Sequence, residues 1–510
     1  MKLTDFFENE YLTYGSYENF RSIASYVDGN NNVKRKIFHT ALNKGNFKMR
    51  VDLFANEVIA KSKYIHGSCD DSVVGLVSNY VGSNNIPLFK GLGDFGSRLT
   101  GGVSAATRYI SIATSHYLNL IYKKEDNDIL IKQRFEGYDV EPKYYVPIIP
   151  ILLVNGSNSP SIGFSHKVFP RNINNICQNI FNYLDNKPLN EMLPYYNGFK
   201  GTIEKGIGER QFIIKGVCEV VNTSTVKITE LPLGPTMLSY RDFLKNLKTN
   251  KKIVNFKVNN DTKKDTYEYE IKFERKVLSS LTENKLYEYL NLRTTTSEIL
   301  FLNNENNKII EFNNTLEILQ AYIKIRLDYY VKRKEYLINK MKLDITILEN
   351  RIKFINDILN DVIIFKGKKK TQIEKQLKDL NYYKDESYDY LLNMNIHSLT
   401  EDKISDLENR LSKLMKELED YLNKDVTMIW KEELNNLLVA LGEKKLRVNQ
   451  SRLEDIIKPI DNINLEEIQK IEKFKQEISN ELAIPKTLLF NSDEGLSKIK
   501  SEDIKLDDLF

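Results

Sequence analysis

Residues 85–110 carry the side chains best suited to phosphoryl chemistry. This stretch reads NIPLFKGLGDFGSRLTGGVSAATRYI, and its five glycines let the backbone turn sharply and approach another backbone closely. Arg98 and Arg108 offer planar guanidinium groups that suit phosphate. Tyr109 follows Arg108 directly, and a phenol held beside arginines can be a nucleophile that bonds covalently to phosphorus. Since the chain has 29 tyrosines, a packing or surface role for Tyr109 stays open on local chemistry alone.

The same stretch resembles the active-tyrosine region of type IIA DNA topoisomerases. Residues 91–97 match the family's G-x-(N/Q)-F-G-(S/T) turn, and residues 105–109 match its small-residue run ending in Arg-Tyr. The preceding NYVGSNNIPL, residues 79–88, is close to the eukaryotic and T-even-phage branch. The resemblance implies that Tyr109 is the nucleophile and that Arg108 stabilises charge on the phosphoryl oxygens.

Three consecutive cations, Lys34, Arg35 and Lys36, fall in the first turns of a helix predicted over residues 33–42. Cations at a helix start oppose the macrodipole, which favours an anionic partner such as DNA. The alternative is a solvated basic face. By resemblance, Arg35 is the arginine of the family pattern that follows a D-G turn. The family lysine of that pattern is replaced by Asn31, and Lys34 or Lys36 could substitute for it.

Two further residues are assigned to the active site by the resemblance. Arg21 matches the family arginine that reaches the active site from the other protomer. His66-Gly67 resembles the turn that starts the recognition helix of a winged-helix fold, and His66 is expected to assist at the scissile phosphate. Ile65 occupies the place of a second family histidine. A lone histidine is also common as a hydrogen-bonded structural residue.

Residues 141–310 alternate apolar and polar side chains between turn signals, which predicts a β-rich region. The segment YVPIIPILLVNG, residues 145–156, resembles the family link between the DNA-binding domain and the tower. In that family an isoleucine after N-G wedges between base pairs and bends the DNA. The matching position is Pro160, and Ile162 is the second choice. A plain proline-containing turn is the alternative.

Apolar residues recur at heptad spacing in two stretches between residues 311 and 450. The spacing predicts an antiparallel coiled coil with a helical insert between its arms, although a helical bundle has the same composition. In the resembling family this is the stalk, and its helical end is the exit gate, or C-gate, which dimerises. The heptad positions are Met341, Ile345, Leu348, Ile352, Ile355 and Leu359 in the first stretch and Ile404, Leu407, Leu411, Leu414, Leu418 and Tyr421 in the second.

The composition is that of a folded chain with no strong global charge. Its 510 residues carry a net charge of +4, so any DNA-binding surface must be local. Three scattered cysteines and five scattered histidines suggest neither disulfides nor a metal site and favour a reducing compartment. The N-terminus does not resemble a secretory signal. The sequence contains no stretch of about 18 apolar residues, which is the length needed to span a membrane. We therefore expect a cytoplasmic protein, in the host cytoplasm if a phage encodes it.

Together these features predict an α+β multidomain fold. We expect a winged-helix DNA-gate domain with the active tyrosine over residues 1–140 and a β-rich tower domain over residues 141–310. A long coiled-coil stalk with a helical C-gate is expected over residues 311–450, and a charged tail over residues 451–510. The tail is too short for the DNA-wrapping domain of gyrase-type relatives.

The resemblance implies the breakage–rejoining subunit of an ATP-dependent type II topoisomerase, most like the medium subunit of T-even-type phages. It implies a homodimer that binds double-stranded DNA, makes a transient 5′-phosphotyrosyl double-strand break, and relaxes or decatenates DNA by strand passage. The sequence has neither a phosphate-binding P-loop nor the acidic segments of a Toprim domain. ATP and Mg²⁺ are therefore expected on a partner chain with ATPase and Toprim domains.

Other functions stay open at this point. A non-catalytic DNA-bending protein with a coiled-coil dimer would use the same basic turn and wedge without chemistry at Tyr109. A structural coiled-coil protein would have no affinity for duplex DNA at moderate salt. A diverged family member could bind DNA and cleave it poorly, because Asn31 and Ile65 depart from the family pattern.

Overall fold

The architecture is described from a computed structural model of the chain. The predicted tail, residues 451–510, lies outside the described residues. The described ranges are residues 3–261, 266–365, 367–395 and 400–446.

The first part of the chain, through residue 133, is mostly helical and contains one small antiparallel sheet. Its elements are α1 (Leu3–Asp5), a π-helical segment (Phe6–Tyr11), α2 (Leu12–Ser22), α3 (Asn32–Lys44), β1 (Lys48–Arg50), α4 (Val51–Ser62), α5 (Asp70–Val77), β2 (Phe89–Leu92), β3 (Ser111–Thr114), α6 (His116–Ile121) and a 3₁₀ helix (Lys124–Ile129).

Helices α3, α4 and α5 pack with the sheet, whose strand order is β1-β3-β2, as a winged-helix domain. Phe38 of α3 and Phe54 of α4 are fully buried in the core between them. Helix α3 starts one residue before its predicted start, because the Asn31 side chain caps it by accepting a hydrogen bond from the Lys34 backbone N–H at 3.1 Å. Strands β2 and β3 of this sheet flank the stretch that carries Tyr109.

The chain divides into two units, and residues 134–139 are the described part of the smaller one. In the described part of that unit, β4 (Arg134–Phe135) and β5 (Tyr138–Asp139) pair as an antiparallel hairpin. All the other described residues belong to the larger unit.

The region from residue 140 to residue 311 is a series of antiparallel sheets flanked by helices. Its elements are α7 (Ile151–Asn155), β6 (Ser157–Pro160), β7 (Ser165–Val168), α8 (Ile173–Leu184), β8 (Thr202–Lys205), β9 (Gln211–Lys215), β10 (Val217–Asn222), β11 (Thr225–Glu230), α9 (Met237–Thr249), β12 (Asn255–Asp261), β13 (Thr266–Lys272), α10 (Arg275–Ser280), α11 (Glu283–Tyr289), β14 (Arg293–Ser297), β15 (Ile299–Asn303) and β16 (Ile309–Glu311).

Three sheets organise this β-rich tower. Their strand orders are β10-β11-β13-β12, β14-β9-β8 and β16-β15-β7-β6. The alternation read from the sequence is confirmed, since Val226 and Ile228 of β11 are buried and point to one face, as do Phe212 and Ile214 of β9.

Long helices form the remainder of the described chain. Helix α12 and helix α15 lie side by side in opposite directions, with two short helices at the far end. The elements are α12 (Thr315–Leu359), α13 (Lys370–Asp379), α14 (Asp389–Leu392), α15 (Glu401–Asn423) and α16 (Val426–Ala440).

The heptad pattern predicted which side chains meet between α12 and α15. Leu348 and Ile355 of α12 are buried against Leu407 of α15. Leu359 is an exception: it was predicted in the seam but is 48% exposed, because α12 ends there and the chain turns into the helical tip. Other seam residues pack around the buried three, namely Ile352, Ile404, Leu411 and Leu414.

Helix α16, which follows α15, packs against the first part of the chain. Trp430 of α16 is fully buried and donates a hydrogen bond from Nε1 to the Ile148 carbonyl at 2.8 Å. A single buried cluster thus includes side chains from the winged helix, from residues 144–192 and from the base of α12, whereas residues 226–292 form a second cluster. The domain boundaries read from the sequence stay predictions. None of the helices in the described ranges has the length and apolar character needed to cross a membrane.

Candidate active site

The glycine-rich stretch is a tight loop between β2 and β3. Gly93 has φ +115°, and a Cβ there would lie 2.6 Å from Cγ2 of Ile110. Gly96 has φ +94°, and a Cβ there would lie 2.5 Å from the Gly101 carbonyl oxygen. Only glycine fits both positions without displacement of backbone or core. The predicted sharp turn is therefore confirmed at both positions, and the predicted close approach of two backbones is confirmed at Gly96.

Tyr109 stands at the end of this loop, one residue before the buried Ile110. A turn holds its backbone, because the Tyr109 N–H donates to the Ala106 carbonyl at 2.8 Å. Its side chain is 74% exposed, so the hydroxyl is open to a macromolecule. The Arg108 guanidinium is also exposed and lies 5.2 Å from the centre of the Tyr109 ring. A phenol hydroxyl and a guanidinium thus face outward together at the end of this loop.

Arg21 and His66 are brought together in a separate cluster at the end of α2. Arg21 forms an ion pair with Glu18 at 2.7 Å. Burial lowers the pKa of His66, and the nearby Arg21 charge lowers it further, so the ring is neutral at pH 7. Tyr17 shares a hydrogen bond with Nε2 of His66. No hydrogen bond or ion pair links this cluster to the tyrosine loop within the described chain.

Arg35 does not bind DNA in the way the sequence suggested. Its side chain is 4% exposed and forms an ion pair with Asp28, with Nε donating to Oδ2 at 2.8 Å. Arg35 donates a second hydrogen bond to Oδ1 of Asp28 at 3.2 Å and a third to the Asn30 carbonyl at 3.3 Å. Because its donors are used inside the fold, the prediction that Arg35 contacts phosphate is corrected to a structural role.

Lys36 and Lys34 differ although they are two residues apart. Lys36 is paired with Glu141 at 2.8 Å and also donates to the Ser62 carbonyl, so its predicted DNA contact is replaced by an internal ion pair. Lys34 is half-buried, and burial lowers its pKa. Among the described residues it has no carboxylate partner. The ammonium of Lys34 is therefore not neutralised by a carboxylate in the described part of the chain, and its contact with DNA stays a prediction.

Arg98 is also committed to the fold. Its side chain is 6% exposed and donates to the carbonyl oxygens of Leu231, Pro232 and Pro235 at 2.8 to 3.1 Å. Glu230 lies 3.5 Å away. Arg98 thus fastens the tyrosine loop to the tower, and its predicted DNA contact is wrong for a physical reason: its guanidinium has no face open to phosphate.

Pro160 and Ile162 lie at the tip of the hairpin formed by β6 and β7. Pro160 is the last residue of β6, pairs with Ser165 and is exposed. Ile162 is half-buried, and a Cβ added at Gly15 of α2 would lie 3.6 Å from its Cγ2. The hairpin therefore presents Pro160 outward, whereas Ile162 leans toward α2. Their role as wedges stays a prediction.

The sequence reasoning missed Tyr17. Its spacing of four residues before Arg21 puts the two on one face of α2, which is a signal that could have found it. The contact with His66 joins residues 49 positions apart, and no local pattern reveals it. Within the described ranges, no three His, Cys, Asp or Glu side chains are grouped as metal ligands would be.

Comparison with known proteins gives one consistent family. The family model for the A subunits of DNA gyrase and topoisomerase IV matches residues 21–435. The chain is 31% identical to DNA topoisomerase 2 of Plasmodium falciparum over 483 residues, covering 86% of this chain and 34% of that protein. It is likewise 31% identical to DNA topoisomerase 2 of Acanthamoeba polyphaga mimivirus over 517 residues, covering 86% of this chain and 40% of that protein. The chain thus spans well under half the length of these relatives.

A solved structure agrees with the sequence matches. The crystal structure of the Plasmodium falciparum topoisomerase II DNA-binding, cleavage and re-ligation domain superposes with a TM-score of 0.79 at 30% identity. The match covers 86% of this chain and 64% of that one. The likeness of fold therefore extends over most of the chain.

Proposed function

Because the chain belongs to the family of DNA gyrase/topoisomerase IV A subunits, we propose that it is the DNA cleavage–religation subunit of an ATP-dependent type II topoisomerase. The observation that carries the proposal is the exposed Tyr109 beside an exposed Arg108 at the edge of a winged-helix sheet. Buried tyrosines such as Tyr240 and Tyr322 use their hydroxyl inside the fold. Tyr109 has its side chain in solvent, where a DNA backbone can reach it.

The proposed reaction is an exchange of phosphodiester bonds. The Tyr109 hydroxyl oxygen attacks a backbone phosphorus and loses its proton as the new O–P bond forms. The bond from phosphorus to the 3′ oxygen breaks, and that oxygen leaves as a 3′ hydroxyl after it gains a proton. Arg108 stabilises the negative charge that builds on the phosphoryl oxygens. Since the tyrosyl ester keeps the phosphodiester bond energy, the 3′ hydroxyl can reseal the strand without ATP.

We place Arg21, His66 and Lys34 at the same phosphate or its neighbours. Arg21 and His66 form their own cluster and are proposed to act on the Tyr109 site of a second copy of the chain. Of the three cations at the start of α3, Lys34 is the one without a carboxylate partner in the described residues, which supports its use in place of the family lysine at Asn31.

A homodimer is the assembly that lets two tyrosines cut opposite strands. The helical tip of the stalk supports this proposal, because four apolar side chains there are 38% to 50% exposed. Exposed apolar surface of this kind is typical of protein interfaces. They are Leu359, Val362, Ile364 and Phe365.

ATP and Mg²⁺ are proposed to reside on a partner chain with ATPase and Toprim domains. The described residues contain no cluster of three or more metal-ligating side chains, so no step of the reaction is assigned to a metal here. The N-terminal helical segment supports a further chain nearby. Its first part, residues 3–12, leaves apolar side chains 38% to 73% exposed, including Leu3, Phe6, Phe7 and Leu12.

DNA bending is proposed to accompany cleavage. The support is Pro160, which is exposed at a hairpin tip and has the shape of a wedge that separates base pairs. We also propose a cytoplasmic location and a phage-type division of the enzyme into separate chains. The location is supported by the free thiols of Cys69, Cys177 and Cys218.

The test is a denaturant-trapped adduct. The complex is purified from its native cells through a tag on this chain and incubated with a duplex labelled at either the 5′ or the 3′ end. We expect a protein–DNA adduct that carries the 3′ label, because the tyrosine bonds to the 5′ phosphate of the fragment that contains the 3′ end of the strand. The adduct should be lost in Tyr109→Phe and kept in the exposed control Tyr195→Phe. An adduct of equal yield in Tyr109→Phe would overturn the assignment, and DNA bending with no adduct in any variant would favour a non-catalytic bending protein.

A further inference from the structure

We infer that Tyr17 positions His66 for its contact with the scissile phosphate. The two side chains lie on different elements, Tyr17 on α2 and His66 in the turn before α5, and they share a hydrogen bond between the phenol oxygen and Nε2. Their rings also pack together, with centroids 5.7 Å apart. This inference rests on the proposed cleavage function and adds a residue that the family motifs do not contain.

The ring of His66 is held from two sides. Tyr64 packs against it edge-on at 5.6 Å, while Tyr17 packs from α2. With one ring nitrogen bonded and aromatic rings in contact from two elements, the orientation of the imidazole is fixed. The opposite ring nitrogen, Nδ1, has no hydrogen-bond partner among the described residues and can meet a ligand.

The hydrogen bond also selects the tautomer. Burial raises the pKa of Tyr17, so its hydroxyl keeps its proton and can donate to Nε2. A neutral imidazole that accepts at Nε2 carries its proton on Nδ1. An Nδ1–H donates to a phosphate oxygen, which an unprotonated Nδ1 would instead repel. Tyr17 thereby prepares a hydrogen-bond donor and does not itself touch the DNA.

The charges around His66 agree with a phosphate contact. Arg21 on α2 and Lys36 on α3 lower the pKa of His66, and Glu18 on α2 raises it. Aromatic hydroxyls on two elements are the other titratable groups against the ring. Glu18 is paired with Arg21 and Lys36 is paired with Glu141, so neither is free to replace the phenol as the partner of Nε2.

The test compares Tyr17→Phe with Tyr14→Phe in the tagged native complex. Tyr14 is a matched control, since it lies on the same helix, is 52% exposed and makes no described hydrogen bond. We measure the rate of adduct formation and, separately, the affinity for intact DNA. Tyr17→Phe should slow adduct formation about fivefold to tenfold, which is the rate equivalent of about one hydrogen bond, and should leave DNA affinity within about twofold. Tyr14→Phe should change neither.

The same Tyr17→Phe substitution in a His66→Ala variant distinguishes the positioning of His66 from a general loss of folding or activity. In His66→Ala, the added Tyr17→Phe change should have no further effect, because the group on which Tyr17 acts is gone. Equal rates for Tyr17→Phe and Tyr14→Phe, or an equal loss in both His66 backgrounds, would overturn the inference and leave the cleavage function standing. Absence of an adduct in the unmodified complex would instead refute the cleavage function itself.

Discussion

Two basic regions of the larger unit, the tyrosine loop and the first turns of α3, differ in where their cationic side chains point. In the tyrosine loop, Arg108 points into solvent beside an exposed phenol. In the first turns of α3, Arg35 and Lys36 point inward and are paired with Asp28 and Glu141. Both regions match family motifs and both are rich in cations. The contrast shows that a matching motif is not enough to predict a DNA contact. A cation that is paired with a carboxylate inside the fold has no free donors for phosphate, whereas an exposed cation does.

The tyrosine loop contains both situations within about ten residues. Arg98 donates to three backbone carbonyls of the tower and is buried, whereas Arg108 has an aromatic ring as its neighbour and is exposed. Arg98 fixes the loop to the tower, whereas the guanidinium of Arg108 stays exposed. A nucleophile must be held in a fixed position beside a cation that can contact the substrate. A loop with one anchored arginine and one exposed arginine meets both requirements.

The largest effect should come from Arg35→Ala. Removing one partner of a buried ion pair leaves the Asp28 carboxylate, which is fully buried, without its counter-charge. We expect the free energy of unfolding to fall by about 3 to 5 kcal/mol. Urea unfolding followed by circular dichroism measures this, with Arg108→Ala as the matched control that should change stability by less than about 0.5 kcal/mol. A fully stable Arg35→Ala variant with weak DNA binding would break the comparison.

The reverse pattern is expected for activity. Arg108→Ala should slow adduct formation by about 100- to 1,000-fold, because it removes a charge that stabilises the phosphoryl oxygens in the transition state. Its melting temperature should equal that of the unmodified chain, since the Arg108 side chain is exposed. Rapid-quench measurement of adduct formation tests this. A variant that cleaves normally would show that the exposed arginine is only a surface residue.

The smallest effect is expected from Lys34→Ala, which tests whether Lys34 differs from the paired cations Arg35 and Lys36 of the same helix. Lys34→Ala should weaken DNA binding across sequences and reduce the slope of log affinity against log salt by about one, because a single phosphate contact is lost. Titration of duplex DNA at several salt concentrations measures the slope. The matched control is Lys63→Ala, an exposed lysine just after α4. A change in slope that is the same for both variants would remove Lys34 from the DNA contact.

Local patterns predicted the parts of the fold that depend on neighbouring residues. Gly93 and Gly96 marked the bend before Tyr109, and period-two alternation at Val226 and Ile228 marked a strand. Heptad spacing likewise identified the seam between α12 and α15. Each of these signals is generated by backbone geometry that repeats over a few residues.

The errors concern contacts between distant parts of the chain. Arg98 is bonded to a segment more than 130 residues further on, and Lys36 is paired with Glu141 about 100 residues away. Neither partner can be read from the sequence around the cation, so both cations were assigned to DNA. The same limit explains why Tyr17 was missed and why Leu359 was placed in a seam that ends before it.

The central claim is that the Tyr109 hydroxyl forms the bond to DNA, and mass spectrometry of the trapped adduct tests it most directly. The adduct is digested with nuclease and protease, and the peptide that retains a nucleotide is sequenced. We predict a nucleotide attached through its 5′ phosphate to the side chain at position 109. A nucleotide found on any other residue, or attached through a 3′ phosphate, would contradict the claim.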